Sequence, residues 1–280
     1  MQEKIIVGVT DAAVSRRAVD WATERATIRG DRLELVSIVG GAAGVIGEGN
    51  IIDHALELTQ NMLDEEAERV RVRGVPARTR VARGKPVEQL IEASKDAALL
   101  VIGSDYRGPL SGPARGPHGI RITAAAQCPV VVVPDLDLTG RSGVIVGVDG
   151  SDVSELAIAF AAVEADRSGE PLTAVSSWSP VALPLYVRSY PDDYLQIMQK
   201  LTEEALAISI AGIPQLYPDL DVRRVVERSD SPDTLINRLA SQARLTVIGS
   251  HGYGRVARFL LGSTSQQVLA RLATVTVVVR

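Results

Sequence analysis

One strand-like opening occurs twice in this chain, and that repetition limits the possible folds more than any other feature. Lys4-Ile-Ile-Val-Gly-Val9 is answered by Gly143-Val-Ile-Val-Gly-Val148, at an offset of 139 residues. Leu100-Val-Ile-Gly-Ser104 is answered by Thr246-Val-Ile-Gly-Ser250, and Pro86 by Pro232, both at an offset of 146. The seven-residue difference points to an insertion in the Pro-, Ser- and Tyr-bearing stretch between Trp178 and Tyr194. Each half closes on a Val-rich run, Val130 to Val133 and Val275 to Val279. A period this long exceeds any solenoid unit. It predicts two homologous domains, residues 1–136 and 143–280, with 137–142 as the linker around Thr139-Gly140. The 280 residues are enough for two ordinary α/β cores.

Within each half, strand-like and helix-like segments alternate. The strands read Ile5–Val9, Leu33–Val39, Thr79–Ala82, Leu99–Ile102 and Val130–Val133, then Val144–Val148, Leu172–Ser177, Val222–Val226, Leu245–Ile248 and Val275–Val279. Several are unbroken apolar runs, as expected for strands covered on both faces of a parallel sheet. Between them, Val14, Ala18, Trp21, Ala22 and Ala26 fall on one helical face. So do Val87, Leu90, Ile91 and Ser94, after a Pro86 suited to a helix start. Such alternation predicts two open, doubly wound parallel sheets flanked by helices, with right-handed crossovers.

Composition excludes several classes. Aromatic residues are 4% of the chain, so the cores must be Val, Ile, Leu and Ala. A net charge of −4 provides no basic surface for nucleic acid. Cys128 is the one cysteine, which rules out an internal disulfide framework and suits a reducing compartment. The Ile5–Val9 run is too short for a signal peptide, and no apolar stretch approaches a membrane span. The expectation is a cytoplasmic, soluble protein.

The segment after the fourth strand of the second half carries the chemistry. It reads Val247-Ile-Gly249-Ser250-His251-Gly252 and continues to Leu261-Gly262-Ser263-Thr264-Ser265, with the spacing G-x2-G-x9-G-S. Glycines at a strand end let a ligand approach the backbone, and successive amides there can form an anion nest. Gly262-Ser263 opens the last helix, where unpaired N–H groups and the dipole favour phosphate. This spacing, the Val148-Asp149-Gly150-Ser151 turn and the Val-rich last strand together resemble the universal stress protein family, in its ATP-binding branch, over nearly the whole chain.

The resemblance implies strand order 3-2-1-4-5 and a cleft at the switch point between strands 1 and 4. It implies ATP, with Mg²⁺, as the ligand of the second half; His54, His118 and His251 are too widely separated in sequence, and Cys128 too isolated, to suggest a metal held by protein side chains. Asp149 would face the nucleoside end, Val148 beside it, and Ser177 would offer backbone groups to the adenine. Ile248 and Gly249 would line the adenosine. Gly252, Gly262, Ser263, Thr264 and Ser265 would hold the phosphates. It also implies that the two last strands pair about a pseudo-two-fold axis, making the chain an internal dimer able to dimerise further.

The first half departs from the pattern. Tyr106 stands where the second glycine belongs, Pro117 replaces the serine, and Thr10 replaces the aspartate. Tyrosine adds bulk and proline removes a donor. Gly103, Gly116 and His118 remain, with Arg107 and Arg115 nearby, so Thr10, Gly103, Gly116 and His118 are the candidates for a modified anion site. The plainer reading is a scaffold half whose site has decayed.

Several second-half residues have plain readings too. Ser263-Thr-Ser-Gln266 matches a capping box with Ser263 as the cap. Asp149 can be a turn residue before Gly150, and His251 reads as a loop residue facing solvent or packing. The run Asp64-Glu-Glu-Ala-Glu68 followed by Arg69, Arg71 and Arg73 reads as a solvated helix face with i,i+4 pairs.

No arranged nucleophile and base is legible, so the expectation is a regulatory ATP-binding protein and not an enzyme. A nucleotide-independent interaction module is the alternative. An adenylating enzyme ranks below both, because Thr10-Asp-Ala-Ala13 and Asp149-Gly-Ser-Asp152 are not Gly-rich phosphate loops.

Overall fold

The computed structural model describes residues 2–40, 49–104, 106, 118–183, 189–229, 231–252 and 260–280, with backbone alone at 49–51. The chain divides into two compact units, Met1–Leu136 and Asp137–Arg280.

The first unit runs β1 (Lys4–Gly8), α1 (Ala13–Arg29), β2 (Arg32–Val39), α2 (Gly49–Val72), β3 (Ala77–Arg83), α3 (Pro86–Ala93), β4 (Leu99–Ser104), α4 (His118–Ala125) and β5 (Val130–Pro134). The second runs β6 (Val144–Gly147), α5 (Asp152–Ser168), β7 (Leu172–Trp178), α6 (Tyr194–Ser209), the short α7 (Ile213–Leu216), β8 (Val222–Arg228), α8 (Pro232–Ala240), β9 (Leu245–Gly249), α9 (Ser263–Ala270) and β10 (Val275–Val279). In the first, the strands pair in parallel as β3-β2-β1-β4-β5; in the second, as β8-β7-β6-β9-β10. Both are the 3-2-1-4-5 order of a doubly wound sheet.

The unbroken apolar runs are the covered strands. β5 and β10 are buried at every position, and β1, β4, β6 and β9 along most of their length. β3 and β8, at one end of each order, differ: they carry Arg78, Arg80 and Arg83, and Arg223, Arg224 and Arg228, and are mostly half-buried or exposed. Charge on an outer strand blunts its tendency to pair with another chain. The first helix of each unit stops at a left-handed glycine, Gly30 at φ 71° and Gly169 at φ 65°. A side chain would be strained in that conformation.

Residues 137–142 are bound to the second unit. Ser142 N–H donates to the Gln242 carbonyl at 3.3 Å, and the Arg141 guanidinium donates to the Ala273 carbonyl.

The acidic run on α2 differs from its sequence reading. Glu66 is buried, and Arg16 of α1 donates to it at 3.0 Å. Arg69 pairs with Glu66 and, at 3.0 Å, with Asp20; Arg71 pairs with Glu68. Within the helix these are i,i+3 pairs, and the remainder tie α2 to α1, because this face abuts a neighbouring helix. Asp64 accepts from Gln60 and Thr79, and these two hydrogen bonds hold its carboxyl below the usual carboxylate range despite some opposing desolvation. No described helix is long and apolar enough to cross a membrane.

Thr246, fully buried in β9, has a hydroxyl with no partner among the described residues, whereas the nearby Thr274 hydroxyl donates to the Arg244 carbonyl at 3.0 Å. Replacing a stranded polar atom by an apolar group of the same shape removes a desolvation cost. Thr246→Val is therefore expected to stabilise the second unit by about 1 kcal/mol in urea denaturation. A loss of stability would mean that the hydroxyl is satisfied after all.

Candidate functional site

The site starts where β6 stops. Pairing of β6 with β9 ends at Val146 and Val247; beyond it Val148 N–H turns to the Val175 carbonyl of β7, and Ile248 and Gly249 stay with β10. A crevice opens between the diverging strand ends, as expected at a switch point.

The turn leading from β6 into α5 is built by Asp149. Its Oδ1 accepts from Ser151 N–H at 3.0 Å and from Ser151 Oγ at 2.6 Å, while Gly150 adopts φ 82°. Ser151 then caps α5 by accepting from Ser154 N–H, and Ser154 Oγ accepts from Asp149 N–H. Asp149 is thus a turn residue through one oxygen. Its other oxygen, Oδ2, projects across the crevice toward Gly252.

The opposite wall is β9 and its return. Ser250 N–H is held by the Val279 carbonyl at 2.7 Å, and Gly262 N–H by the Ser250 carbonyl at 2.8 Å. The second bond brings the start of α9 back to the end of β9. Gly262 is the N-cap of α9, in extended conformation, and Ser263 is the first helical residue. The capping box read from sequence does not form: the cap has no side chain, and Gln266 donates instead to the Leu261 carbonyl at 3.0 Å. Ser263 and Thr264 begin the helix, where backbone N–H groups have no intrahelical acceptor. Ser265 differs from its neighbours. It is buried, and its hydroxyl donates to the Gly249 carbonyl at 2.7 Å, which ties α9 to the strand end instead of offering a donor to the crevice.

The cleft encloses about 320 Å³. All ten second-half residues named from the sequence line it: Val148, Asp149, Ser177, Ile248, Gly249, Gly252, Gly262, Ser263, Thr264 and Ser265. Sequence reading missed Ser154, Val175 and a wall from α8 formed by Pro232, Leu235 and Ile236. The apolar spacing after Pro232 was visible as a signal, but which helix end faces the crevice follows from topology. His251 was read as a solvent or packing residue; it also borders the cleft, half-buried, with Nδ1 2.9 Å from Ser250 Oγ. Among the described residues no cluster of three His, Cys, Asp or Glu side chains is arranged to hold a metal ion.

Not every motif glycine requires a ligand to explain it. A Cβ on Gly249 would lie 3.0 Å from Val153 Cγ1, one on Gly262 would lie 3.3 Å from His251 Cα, and one on Gly252 would overlap Asp149 Oδ2. The first unit separates these reasons. Gly103, aligned with Gly249, packs the same way on Val14, with its Cβ position 3.1 Å from the Val14 carbonyl oxygen. Gly8 and Gly147 likewise face equivalent neighbours, Leu90 and Ile102 in one unit, Ile236 and Ile248 in the other.

Thr10 keeps the turn as well, accepting from Ala12 N–H at 3.3 Å, while its own N–H donates to Ser15 Oγ. It has no second oxygen to extend into a cleft. Tyr106 is 4% exposed where the second unit has Gly252. His118 is exposed at the start of α4. Gly116, Arg107, Arg115 and Pro117 lie outside the described residues. Among the described residues, then, the two units share the glycines that pack against the protein and differ at residues that border the second cleft.

Comparison with known proteins agrees with the duplicated architecture. The model of the universal stress protein family matches residues 1–134 and again 142–280. A universal stress protein of Mycobacterium tuberculosis is 33% identical over 289 aligned positions, covering 98% of this chain and 95% of the relative. One from Mycolicibacterium smegmatis is 31% identical, covering 99% and 96%. The crystal structure of a universal stress protein from Archaeoglobus fulgidus superposes with a TM-score of 0.72 at 17% identity, covering 99% of this chain and 96% of that one.

Proposed function

Because the chain belongs to the universal stress protein family, we propose that it is a regulatory protein of the stress response that binds ATP, carried with Mg²⁺, in the cleft of its second half. One observation carries this reading. Among the described residues, the two units differ at cleft-bordering positions, Asp149 against Thr10 and Gly252 against Tyr106, while two glycine pairs that pack on neighbouring elements, Gly8 with Gly147 and Gly103 with Gly249, are common to both. A cleft-facing carboxylate opposite a glycine leaves room for a ligand that threonine opposite tyrosine does not.

The chemistry of the lining fits an adenine nucleotide. Val175, Leu235, Ile236 and Ile248 give an apolar wall for a base, and Asp149 Oδ2 supplies an acceptor for a nucleoside hydroxyl or amine. The first-turn amides of α9 and the Gly249–Gly252 backbone give donors for phosphate. The volume lies at the lower end of ordinary ligand pockets. With no cation-holding cluster among the described residues, Mg²⁺ would travel on the phosphates.

Titrating ATP and Mg²⁺ calorimetrically into the full chain is expected to give about one site per chain, lost in a Gly262→Ala/Ser263→Ala double variant. Hydrolysis is expected to stay well below ~1 per second, the lower end of ordinary enzyme turnover. Faster multiple-turnover release of phosphate would make the protein an enzyme and end the regulatory reading.

A second reading has its own support, since Gly249, Gly252 and Gly262 each have an internal packing reason. On that reading the chain is a nucleotide-independent interaction module. A ligand that prefers the native state must raise its stability, so an unchanged melting temperature in saturating ATP would favour the module.

A further inference from the structure

We propose that His251 sets the charge at the phosphate end of the second-half cleft and makes its affinity for an anionic ligand depend on pH; the inference rests on the nucleotide reading above. Among the described side chains lining the cleft, two can carry charge: Asp149 after β6 and His251 after β9. The other described residues of the phosphate end, Gly249, Gly252, Gly262 and the start of α9, offer dipoles and no formal charge. The α8 wall, Pro232, Leu235 and Ile236, is uncharged as well. Behind His251, Ser250 is held by Val279, and Arg280 follows that residue. Arg255 and Arg258, between Gly252 and Gly262 in sequence, lie outside the described residues. Among the described lining residues, an anion entering while His251 is neutral meets a carboxylate and no opposing charge. Once His251 is protonated, it meets a balanced pair.

The local geometry accepts both states. Ser250 Oγ lies 2.9 Å from His251 Nδ1 and can donate to a neutral ring or accept from a protonated one. Either way Nδ1 is engaged, which leaves Nε2 as the ring donor with spare capacity. The sequence of the first half adds an independent contrast. Asp105 aligns with His251 there, so the half that lost the aspartate at Thr10 also carries an acid where the second half carries a potential cation.

Histidine changes charge between about pH 5 and 8, whereas ordinary carboxylates titrate near pH 4. Affinity for a phosphate-bearing ligand should therefore rise as pH falls through the histidine range.

The test titrates ATP with Mg²⁺, and separately adenosine, into the full chain at about pH 8 and about pH 5.5, using wild type, His251→Gln and His251→Arg. ATP's own terminal phosphate also titrates in this range, equally for every protein, so differences between their slopes report His251. Wild type is expected to gain roughly fivefold to tenfold more affinity for ATP on acidification than His251→Gln, the scale of one charge-assisted hydrogen bond in a half-open cleft. His251→Arg should keep the high affinity at both pH values, and adenosine should bind with no pH dependence. Parallel ATP slopes in wild type and His251→Gln would overturn the role of His251 while leaving nucleotide binding intact. An equal pH response for adenosine would overturn it too, by moving the effect away from the phosphates. If wild type binds no ATP at either pH, the nucleotide reading itself fails.

Discussion

Gly252→Tyr, which copies into the second half the residue found at the aligned position of the first, is expected to weaken ATP binding at least ~100-fold, a loss of about 2.7 kcal/mol of binding free energy. Even a single added carbon at 252 overlaps Asp149 Oδ2. That carboxylate cannot swing away freely, because its other oxygen holds both the N–H and the hydroxyl of Ser151. A phenol ring would go further and fill the space between the two walls. The fold should survive, since Gly252 is half-buried at the cleft and its backbone is not in the left-handed region. The melting temperature without ligand should move by no more than about 2–4 °C, the scale of 1 kcal/mol in a unit of this size. Calorimetric titration beside a thermal melt separates the two effects. Wild-type affinity in a folded Gly252→Tyr chain would mean that nucleotide binds elsewhere.

Leu172→Ala should be the largest stability change among simple truncations in the second unit. Leu172 is fully buried in β7, in register between Val144 of β6 and Val222 of β8. Removing a leucine from such a position costs the transfer free energy of the lost carbons plus that of the cavity left behind, about 3 kcal/mol. The chain supplies its own reporter. It has two tryptophans, Trp21 in α1 of the first unit and Trp178 at the end of β7 in the second. In a Trp21→Phe background, fluorescence reports the second unit alone. The urea midpoint should fall by roughly 1 M or more, given ordinary slopes of about 1–3 kcal/mol per molar. An unmoved midpoint would show that Leu172 is not part of a close-packed core.

Much of the fold was legible because its signals are local. Runs such as Val130–Val133 and Val275–Val279 can be satisfied only by burial on both faces, and they became β5 and β10. Pro86 and Pro232 each stand at the first turn of a helix. Spacing also named the residues that the second crevice brings together, since G-x2-G-x9-G-S records where the chain leaves a strand and returns to a helix.

What was not legible depends on which surfaces meet. Whether Glu66 is solvated or buried depends on α1 crossing α2, which no local pattern encodes. The α8 wall is an amphipathic face like any other until the strand order aims it at the crevice. Ser263 matched a capping box, yet the Gly262–Ser250 hydrogen bond sets the helix start one residue earlier in role, and Gly262 becomes the cap. Three neighbouring hydroxyls on α9 read alike in sequence. The distance from Ser265 to the Gly249 carbonyl is what sets that one apart.

The double duty of the residue after the first strand also fixes the order in which substitutions can accumulate. Threonine at that place preserves the turn, as Thr10 does, and gives up the projecting oxygen. While the aspartate stands, any side chain at the facing glycine collides with it. A path from a half like the second to one like the first therefore avoids that collision only if aspartate yields to threonine before glycine yields to tyrosine. The reverse sequence passes through an intermediate with both the clash and the intact carboxylate. Two copies of one scaffold in a single chain let such a path run to its end in one copy while the other stays as it was.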